Sequence, residues 1–343
     1  MPVAVIGSGG AGKTHGDSIP AIAEPDGLPR RIGAAYAPIV RKQTANELRN
    51  REGAREMSLT VDRMTIRPTT QHTGAEIIGL DLLGDLDATT RQILQKSLAD
   101  RGMLVFRDQK LTPPDVMKVA RVFGDILPQQ LARFTLPDYP LVGFVSSEDL
   151  DKPGGVRIVR GEQYHTDHSN FPAPPLGTML FPLRLPRTGG DTQFVNVQDS
   201  YDDLPDETKR RIDGLRVLHM FMSSRSPRKK AQLTEEERKK IPEAWQPLVL
   251  VHPLNGRKAL YMNTAHMERI EGMEDDAAFE LIGQLMAHAT QPKYEYCHKW
   301  RQGDLVIWDN RSVMHKANGD YEPGEQRFLY RVMIKGQPLQ AAA

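Results

Sequence analysis

The sequence contains a single cysteine, Cys297, among 343 residues. One cysteine cannot form an intrachain disulfide or build a cysteine-rich metal site, so histidine and carboxylate side chains would have to hold any transition metal. A chain without disulfides is typical of a reducing compartment, and we expect this protein to be cytoplasmic.

An excess of charge of one sign is also lacking. The sequence has 45 Lys and Arg against 44 Asp and Glu, which gives a net charge of +1. This balance provides no global electrostatic reason to expect nucleic acid or an anionic membrane as a partner. Long apolar runs are missing as well, since none approaches the roughly 18 residues that a membrane span needs. We therefore expect no nucleic-acid and no membrane partner.

Residues 1–63 are rich in Gly, Ala, Pro and Arg and show no sustained apolar period. Such a segment buries too little apolar surface to offset its chain entropy, which predicts a disordered leader. Within it, GSGGAGKT from Gly7 to Thr14 matches the phosphate-binding P-loop, so a nucleotide-binding protein is one alternative. A P-loop needs a helix directly after it, however, and Gly16 and Pro20 oppose one.

From about residue 64 the pattern becomes that of a folded domain. Apolar spacing predicts helices at residues 87–101 and 112–123, and strands at 74–82 and 103–106. Shorter segments between Gly and Pro turns predict strands at 141–145, 178–183, 192–195, 215–222, 248–251, 259–262, 293–296, 304–308 and 328–334. Further helices are predicted at 199–203, 205–213, 234–240 and 275–289. Many short strands with flanking helices indicate a mostly β protein, a sandwich or barrel.

The H-x-D sequence at His165 and Asp167 is the first candidate for chemistry. Residues i and i+2 of a strand point to the same face, so the imidazole and carboxylate could lie side by side. On its own, H-x-D is more often a core pair or a coincidence. Much later, a strand ending at Trp308 leads into a turn, and His315 begins the next element. Two histidines and a carboxylate form the facial triad of Fe(II) oxygenases, which leaves positions open for a co-substrate and O2.

Two arginines follow on the predicted last strand, Arg327 and Arg331. Positions four apart share a face of a strand, so both guanidinium groups can enter one pocket. A guanidinium pairs a carboxylate bidentately, which suits the far end of 2-oxoglutarate and leaves the second arginine for an anionic substrate. Ordinary ion pairs on an exposed strand are the alternative, but the neighbouring H-x-D and His315 favour the pocket.

Further motifs accompany these residues: GGDTQFVN begins at Gly189 and WDNRSVMH begins at Trp308. With H-x-D and the paired arginines, they resemble the taurine/2,4-dichlorophenoxyacetate dioxygenase family over about residues 65–337. The resemblance implies a double-stranded β-helix, a jelly-roll, cupin-like core with helices outside, in a dioxygenase domain spanning residues 64–340. It also implies 2-oxoglutarate and O2 as co-substrates and Fe(II) bound by three ligands: His165, Asp167 and His315.

The resemblance also implies roles for other side chains. Arg327, helped by the Thr192 hydroxyl, would bind the distal carboxylate of 2-oxoglutarate, and Arg331 would face the acidic group of the substrate. The taurine enzyme has Trp and Asn at positions bordering the substrate cavity where this sequence has Tyr164 and Gly161. Taurine is therefore not the favoured substrate. Tyr164 is kept as a candidate substrate contact, although its alternation away from His165 favours packing.

The function implied is hydroxylation of a small anionic organic substrate with release of succinate and CO2. Candidate substrates are aryloxyalkanoates, sulfonates, alkyl sulfates and related acids. The resemblance further implies a homo-oligomer, either a dimer or a tetramer. Two alternatives stand beside it: the P-loop protein described above, and a non-catalytic jelly-roll binding module. The binding module is disfavoured because the sequence has a residue of the expected type at every metal-ligand and co-substrate position.

Overall fold

The structure, a computed structural model, describes residues 59–61, 64–129, 132–147, 159, 161–221, 223–224, 226 and 235–342. The predicted disordered leader lies almost wholly outside the described residues. The P-loop motif from Gly7 to Thr14 lies entirely outside them, so both stay predictions. Within the described part of the chain, no helix is long and apolar enough to cross a membrane.

The described residues form a mostly β fold with a few helices. The strands are β1 Leu59–Val61, β2 Met64–Pro68, β3 Ala75–Ile78, β4 Met103–Phe106, β5 Ile126–Leu127, β6 Thr135–Leu136, β7 Tyr139–Ser146, β8 Gly177–Arg184, β9 Thr192–Asn196, β10 Arg216–His219, β11 Ala244–Pro247, β12 Val249–Val251, β13 Lys258–Leu260, β14 Met267–Ile270, β15 Glu295–His298, β16 Leu305–Asp309, β17 Val313–Ala317 and β18 Phe328–Ile334. The α-helices are α1 Ala88–Arg101, α2 Pro113–Phe123, α3 Val197–Asp202, α4 Asp206–Ile212, α5 Glu235–Lys240 and α6 Asp275–Ala289.

Two sheets packed face to face form the centre of the fold. The large sheet has the strand order β1-β2-β3-β4-β16-β8-β18-β7-β6, with β5 paired to β18, and the small sheet has the order β15-β9-β17. An inter-sheet core joins them through Met103, Val105, Leu180, Phe194, Val306, Trp308, Val313 and Leu329. This arrangement is the double-stranded β-helix, or jelly roll, that the resemblance implied.

Strand alternation decides which side chains face the interior between the sheets. On β9, Phe194 lies in the inter-sheet core, whereas its neighbour Val195 packs in a separate cluster on the outer face. Because side chains alternate, Thr192 shares the inward face with Phe194. On β17, Val313 is inward, and His315 follows two residues later on the same face. The small sheet therefore delivers one hydroxyl and one imidazole to the interior.

Helices α1 and α2 cover the other face of the large sheet. Leu94, Leu98, Val116 and Val119 of these helices pack in one buried cluster with Ile307 of β16. The first helix begins at an N-cap, because the Asp87 side chain accepts a hydrogen bond from Thr90 N at 2.6 Å. It ends at Gly102, whose φ of 75° is the left-handed conformation that suits a glycine C-cap.

Several elements of the structure differ from the prediction, including the strand predicted at 74–82, which covers only Ala75–Ile78, and the missed strands β2, β11 and β14. The strand predicted at 293–296 is preceded by a 3-10 helix, Pro292–Tyr294, and β15 begins only at Glu295, because proline suits the first turn of a helix and cannot donate to a sheet. The strand predicted at 215–222 ends at His219, next to a register shift. Strand β17 was missed, since its short sequence VMHKA shows little apolar alternation.

The close contact between Gly102, at the end of α1, and β17 of the small sheet can be tested by substitution. A Cβ added at Gly102 would lie 2.3 Å from Cγ1 of Val313 on β17. We expect G102A to lower the free energy of unfolding by about 2–4 kcal/mol, because a left-handed alanine adds strain of about 1 kcal/mol and overpacking adds about 1–3 kcal/mol. Denaturant unfolding followed by circular dichroism measures this change.

Gly272 supplies the matched control. Its φ is 70°, and nothing lies within 4 Å of a Cβ built there. We expect G272A to lower the free energy of unfolding only by the smaller cost of the left-handed conformation. Equal losses in the two variants would contradict the close approach of Gly102 to β17.

Candidate metal centre

Two histidines and one aspartate converge at one end of the inter-sheet core. One ligand atom from each of His165, Asp167 and His315 lies within 4.8 Å of the other two. His165 Nε2 is 3.8 Å from Asp167 Oδ1, and His315 Nε2 is 3.8 Å from Asp167 Oδ2. The structure thus brings together the three residues that the sequence analysis selected as metal ligands.

The backbone conformation that brings these three residues together differs from the predicted one. His165 forms an isolated antiparallel bridge with His315, in which each backbone N–H donates to the other's carbonyl at 3.0 and 2.9 Å. Asp167 lies in a turn rather than on a strand, and His168 within this turn has a φ of 46°. The shared strand face predicted for His165 and Asp167 is therefore wrong. The turn, not strand alternation, places the carboxylate beside the imidazoles.

Hydrogen bonding and burial prepare the three side chains for a divalent metal. His165 Nδ1 lies 2.7 Å from the Gln163 carbonyl oxygen, which can only accept, so Nδ1 carries the proton and Nε2 keeps its lone pair. Burial, helped by the nearby His165, lowers the pKa of His315 to about 3. Burial alone would raise the pKa of Asp167, but His315, His165 and Arg331 hold it below its usual value. Neutral imidazoles and an ionised carboxylate are the forms that bind metals.

The turn between β16 and β17 fixes the position of His315. The Arg311 backbone N–H and Nε both donate to Asp309 Oδ1 at 2.8 Å, and Arg311 Nη2 donates to Oδ2 at 2.6 Å. His252 Nε2 lies 3.0 Å from the same Oδ2. The His315 ring then packs against Trp308, with centroids 4.4 Å apart. A buried charged turn therefore sets the entry of β17.

A second charged group lies at the start of β18. Arg327 is only 5% exposed, and its Nε donates to the Gly190 carbonyl at 2.8 Å. Its Nη2 donates to Thr192 Oγ1 at 3.4 Å. No carboxylate among the described residues pairs with this guanidinium, and burial lowers its pKa to about 10, so it stays charged at neutral pH. The pocket beside it is lined by Val145, Ser147, Ala317, Asn318 and Tyr321.

Trp300 supplies a further polar contact in this region. Its Nε1 donates to Thr192 Oγ1 at 3.0 Å. Thr192 therefore accepts from both Trp300 and Arg327, and its own hydroxyl proton remains to donate to another acceptor. No motif or spacing in the sequence indicates this contact, because β15 and β9 become neighbours only in the folded sheet.

Arg331 lies on β18, and its charge contributes to the low pKa of Asp167. Its Nη2 donates to Gln129 Oε1 at 2.7 Å, another contact that the sequence did not predict. Gly143 pairs with Arg331 across β7 and β18, and a Cβ there would be 2.7 Å from Gln129 Cδ. The absence of a side chain at Gly143 thus makes room for the Gln129 amide beside the arginine.

Tyr164 directs its hydroxyl to Glu295, with a donor–acceptor distance of 2.7 Å, and Lys316 stands 5.0 Å from its ring centre. Burial and the Glu295 carboxylate raise the pKa of this phenol. Its role as a substrate contact stays a prediction. His168 occupies the turn after Asp167, with its ring centroid 4.9 Å from that of Phe171. Burial, together with the charge of Arg331, lowers the pKa of His168 to about 4.

Comparisons with a family model and with individual proteins indicate the same family. The family model for the taurine catabolism dioxygenase TauD, TfdA family matches residues 65–333. The chain is 33% identical to the alpha-ketoglutarate-dependent 2,4-dichlorophenoxyacetate dioxygenase of Burkholderia sp. (strain RASC), over 76% of this chain and 91% of that protein. It is 31% identical to an alkylsulfatase of Acinetobacter baylyi, over 82% of this chain and 87% of the relative.

Solved structures agree with these sequence matches. The crystal structure of AAD-2 in complex with Mn(II) and N-oxalylglycine superposes with a TM-score of 0.69 at 30% identity, covering 81% of this chain and 99% of that one. A putative alpha-ketoglutarate-dependent taurine dioxygenase from Burkholderia xenovorans gives a TM-score of 0.68 at 28% identity, covering 80% and 91%. The chain therefore belongs to the TauD, TfdA dioxygenase family, whose enzymes are oxidoreductases dependent on Fe(II), 2-oxoglutarate and O2.

Proposed function

We propose that this dioxygenase hydroxylates a small organic anion and that His165, Asp167 and His315 hold its iron. The donor set supports this proposal, because two imidazoles and one carboxylate on one side of a metal leave the other coordination positions open. When bound, Fe(II) couples decarboxylation of 2-oxoglutarate to succinate and CO2 with transfer of one oxygen atom of O2 into a substrate C–H bond.

The observation that carries the proposal is the buried guanidinium of Arg327. A buried cation without a carboxylate partner is costly, so it marks a place where an anion binds. The distal carboxylate of 2-oxoglutarate is such an anion. Arg327 would supply the charge, and Thr192 would donate the hydroxyl proton that Trp300 leaves available. Thr192 lies on β9, which pairs with β17, the strand that carries His315.

The substrate's acidic group would pair with Arg331. This arginine shares the inward face of β18 with Leu329 of the inter-sheet core, and the Gln129 amide lies against it. Relatives named for 2,4-dichlorophenoxyacetate, phenoxypropionate, alkyl sulfate and sulfate-ester substrates support an aryloxyalkanoate, alkyl sulfate or related acid. Hydroxylation of the carbon beside an ether or ester oxygen gives a hemiacetal-type product, which then loses the aryloxy or sulfate group.

A succinate-release screen tests the reaction. We expect purified full-length protein with Fe(II), ascorbate and 2-oxoglutarate to release succinate faster when an active aryloxyalkanoate, alkyl sulfate or sulfonate is added. Replacing one metal ligand, as in H165A, should abolish this stimulation. Failure of every acid in the panel, combined with no binding of 2-oxoglutarate to the metal-loaded protein, would contradict the proposal.

Substitution of Arg327 tests the co-substrate pocket. We expect R327Q to raise the KM for 2-oxoglutarate by roughly 10- to 100-fold, because hydrogen bonds to charged groups contribute about 1.5–3 kcal/mol. The matched control is R187Q, since Arg187 is an exposed arginine paired with Glu325 close to the start of the same strand. An unchanged KM in R327Q, or an equal rise in R187Q, would exclude Arg327 as the carboxylate ligand.

Substitution of Arg331 tests the substrate site separately. We expect R331Q to raise the KM for the active acid by about tenfold or more, while the KM for 2-oxoglutarate stays at the wild-type value. The neutral methyl ester of the same acid is the control, because it should be a poor substrate for wild type and lose little further activity in R331Q. An equal loss for acid and ester would contradict an ionic role for Arg331.

A further inference from the structure

We propose that Thr178 and Asn310 hold the Asp167 carboxylate in the orientation in which it would bind the metal. This inference rests on the proposed metal site and adds two residues that do not touch the metal themselves. Its consequence is a carboxylate whose direction is set before a metal binds, because hydrogen-bonded partners of a metal ligand fix its orientation.

The direct contact is a hydrogen bond from the Thr178 hydroxyl to Asp167 Oδ2, with a distance of 2.7 Å. Thr178 lies on β8 of the large sheet and has no exposed surface. Asp167 is itself buried. Oδ1 lies 3.8 Å from His165 Nε2, and Oδ2 lies 3.8 Å from His315 Nε2, so each carboxylate oxygen borders one imidazole. The hydrogen bond from Thr178 therefore fixes how the carboxylate is turned between the two rings.

The direction of this hydrogen bond follows from the donors around Asn310. The Trp308 indole N–H can only donate, and it lies 3.1 Å from Asn310 Oδ1. The Asn310 oxygen must therefore face Trp308, and the amide nitrogen must face the other way. Asn310 Nδ2 then donates to Thr178 Oγ1 at 3.3 Å. Because Thr178 accepts this bond, its one proton is left for Asp167.

Asn310 also ties the H-x-D turn to the turn that precedes His315. Its Oδ1 accepts from the Asp167 backbone N–H at 3.3 Å, and its carbonyl oxygen accepts from the Thr166 hydroxyl at 2.8 Å. The remaining amide hydrogen reaches the Pro175 carbonyl at 3.3 Å. Every polar group of this buried amide is used, so both the position and the orientation of the carboxylate depend on one side chain.

The test measures metal binding rather than turnover. Calorimetric titration of the 2-oxoglutarate-free protein with Co(II) gives the metal affinity of wild type, T178V and T178S. We expect T178V to bind Co(II) about tenfold or more weakly, since groups that orient metal ligands typically change affinity by 10- to 100-fold. T178S keeps the hydroxyl and should remain close to wild type. T178A removes the hydroxyl without adding volume, and it answers the same question if T178V does not fold.

Thr73 provides the matched control for loss of a buried threonine hydroxyl. It is fully buried, and its Oγ1 donates to the Tyr294 carbonyl at 2.6 Å, with no contact to the metal ligands. We expect T73V to lower the melting temperature while Co(II) affinity stays at the wild-type value. Wild-type Co(II) affinity in both T178V and T178A would overturn the role of Thr178. A wild-type protein that binds no Co(II) at all would instead overturn the proposed metal site, and this inference with it.

Discussion

The site depends on a pair of backbone hydrogen bonds between His165 and His315. These residues come from distant parts of the chain, and the two bonds hold their rings with centroids 4.2 Å apart. A hydrogen-bonded antiparallel pair fixes the direction of both side chains, because the two residues exchange both of their backbone bonds. Asp167 needs only the following turn to reach the same point. This long-range backbone contact therefore fixes the relative position of two of the proposed metal ligands.

The interior between the two sheets gives this arrangement its electrostatic character. Buried charges must be paired, coordinated or bound by a ligand, because leaving water is costly for them. Asp167 is compensated by the arginine on β18 and by the hydroxyl of Thr178. Arg327 donates to the oxygens of Gly190 and Thr192 and keeps its charge. In the proposed site, Asp167 would therefore be the buried anion that binds a cation, and Arg327 the buried cation that binds an anion.

The sequence predicted the chemistry of the site better than its geometry. The selection of His165, Asp167 and His315 followed from their residue types and order, and the jelly roll followed from the family resemblance that the motifs carry. The backbone at Asp167 was predicted wrongly, because a strand and a tight turn can both bring residues two apart to one side. The contacts of Gln129 and Trp300 could not be predicted, since each depends on which strands become neighbours. Gly143 makes room for the Gln129 amide only because β7 pairs with β18, and the sequence alone does not show that pairing.

Two tryptophans perform the same physical task, one beside Asn310 and the other beside Thr192. An indole N–H donates and never accepts, so it fixes the orientation of the polar group that it contacts. Trp308 orients the Asn310 amide and through it the Thr178 hydroxyl toward Asp167. Trp300 occupies an acceptor site of Thr192 and leaves that hydroxyl proton for the pocket beside Arg327. Hydroxyl groups of threonine have no preferred direction of their own. Rigid indole donors therefore set where each proton points, toward the proposed metal ligand Asp167 from Thr178 and toward the proposed co-substrate site from Thr192.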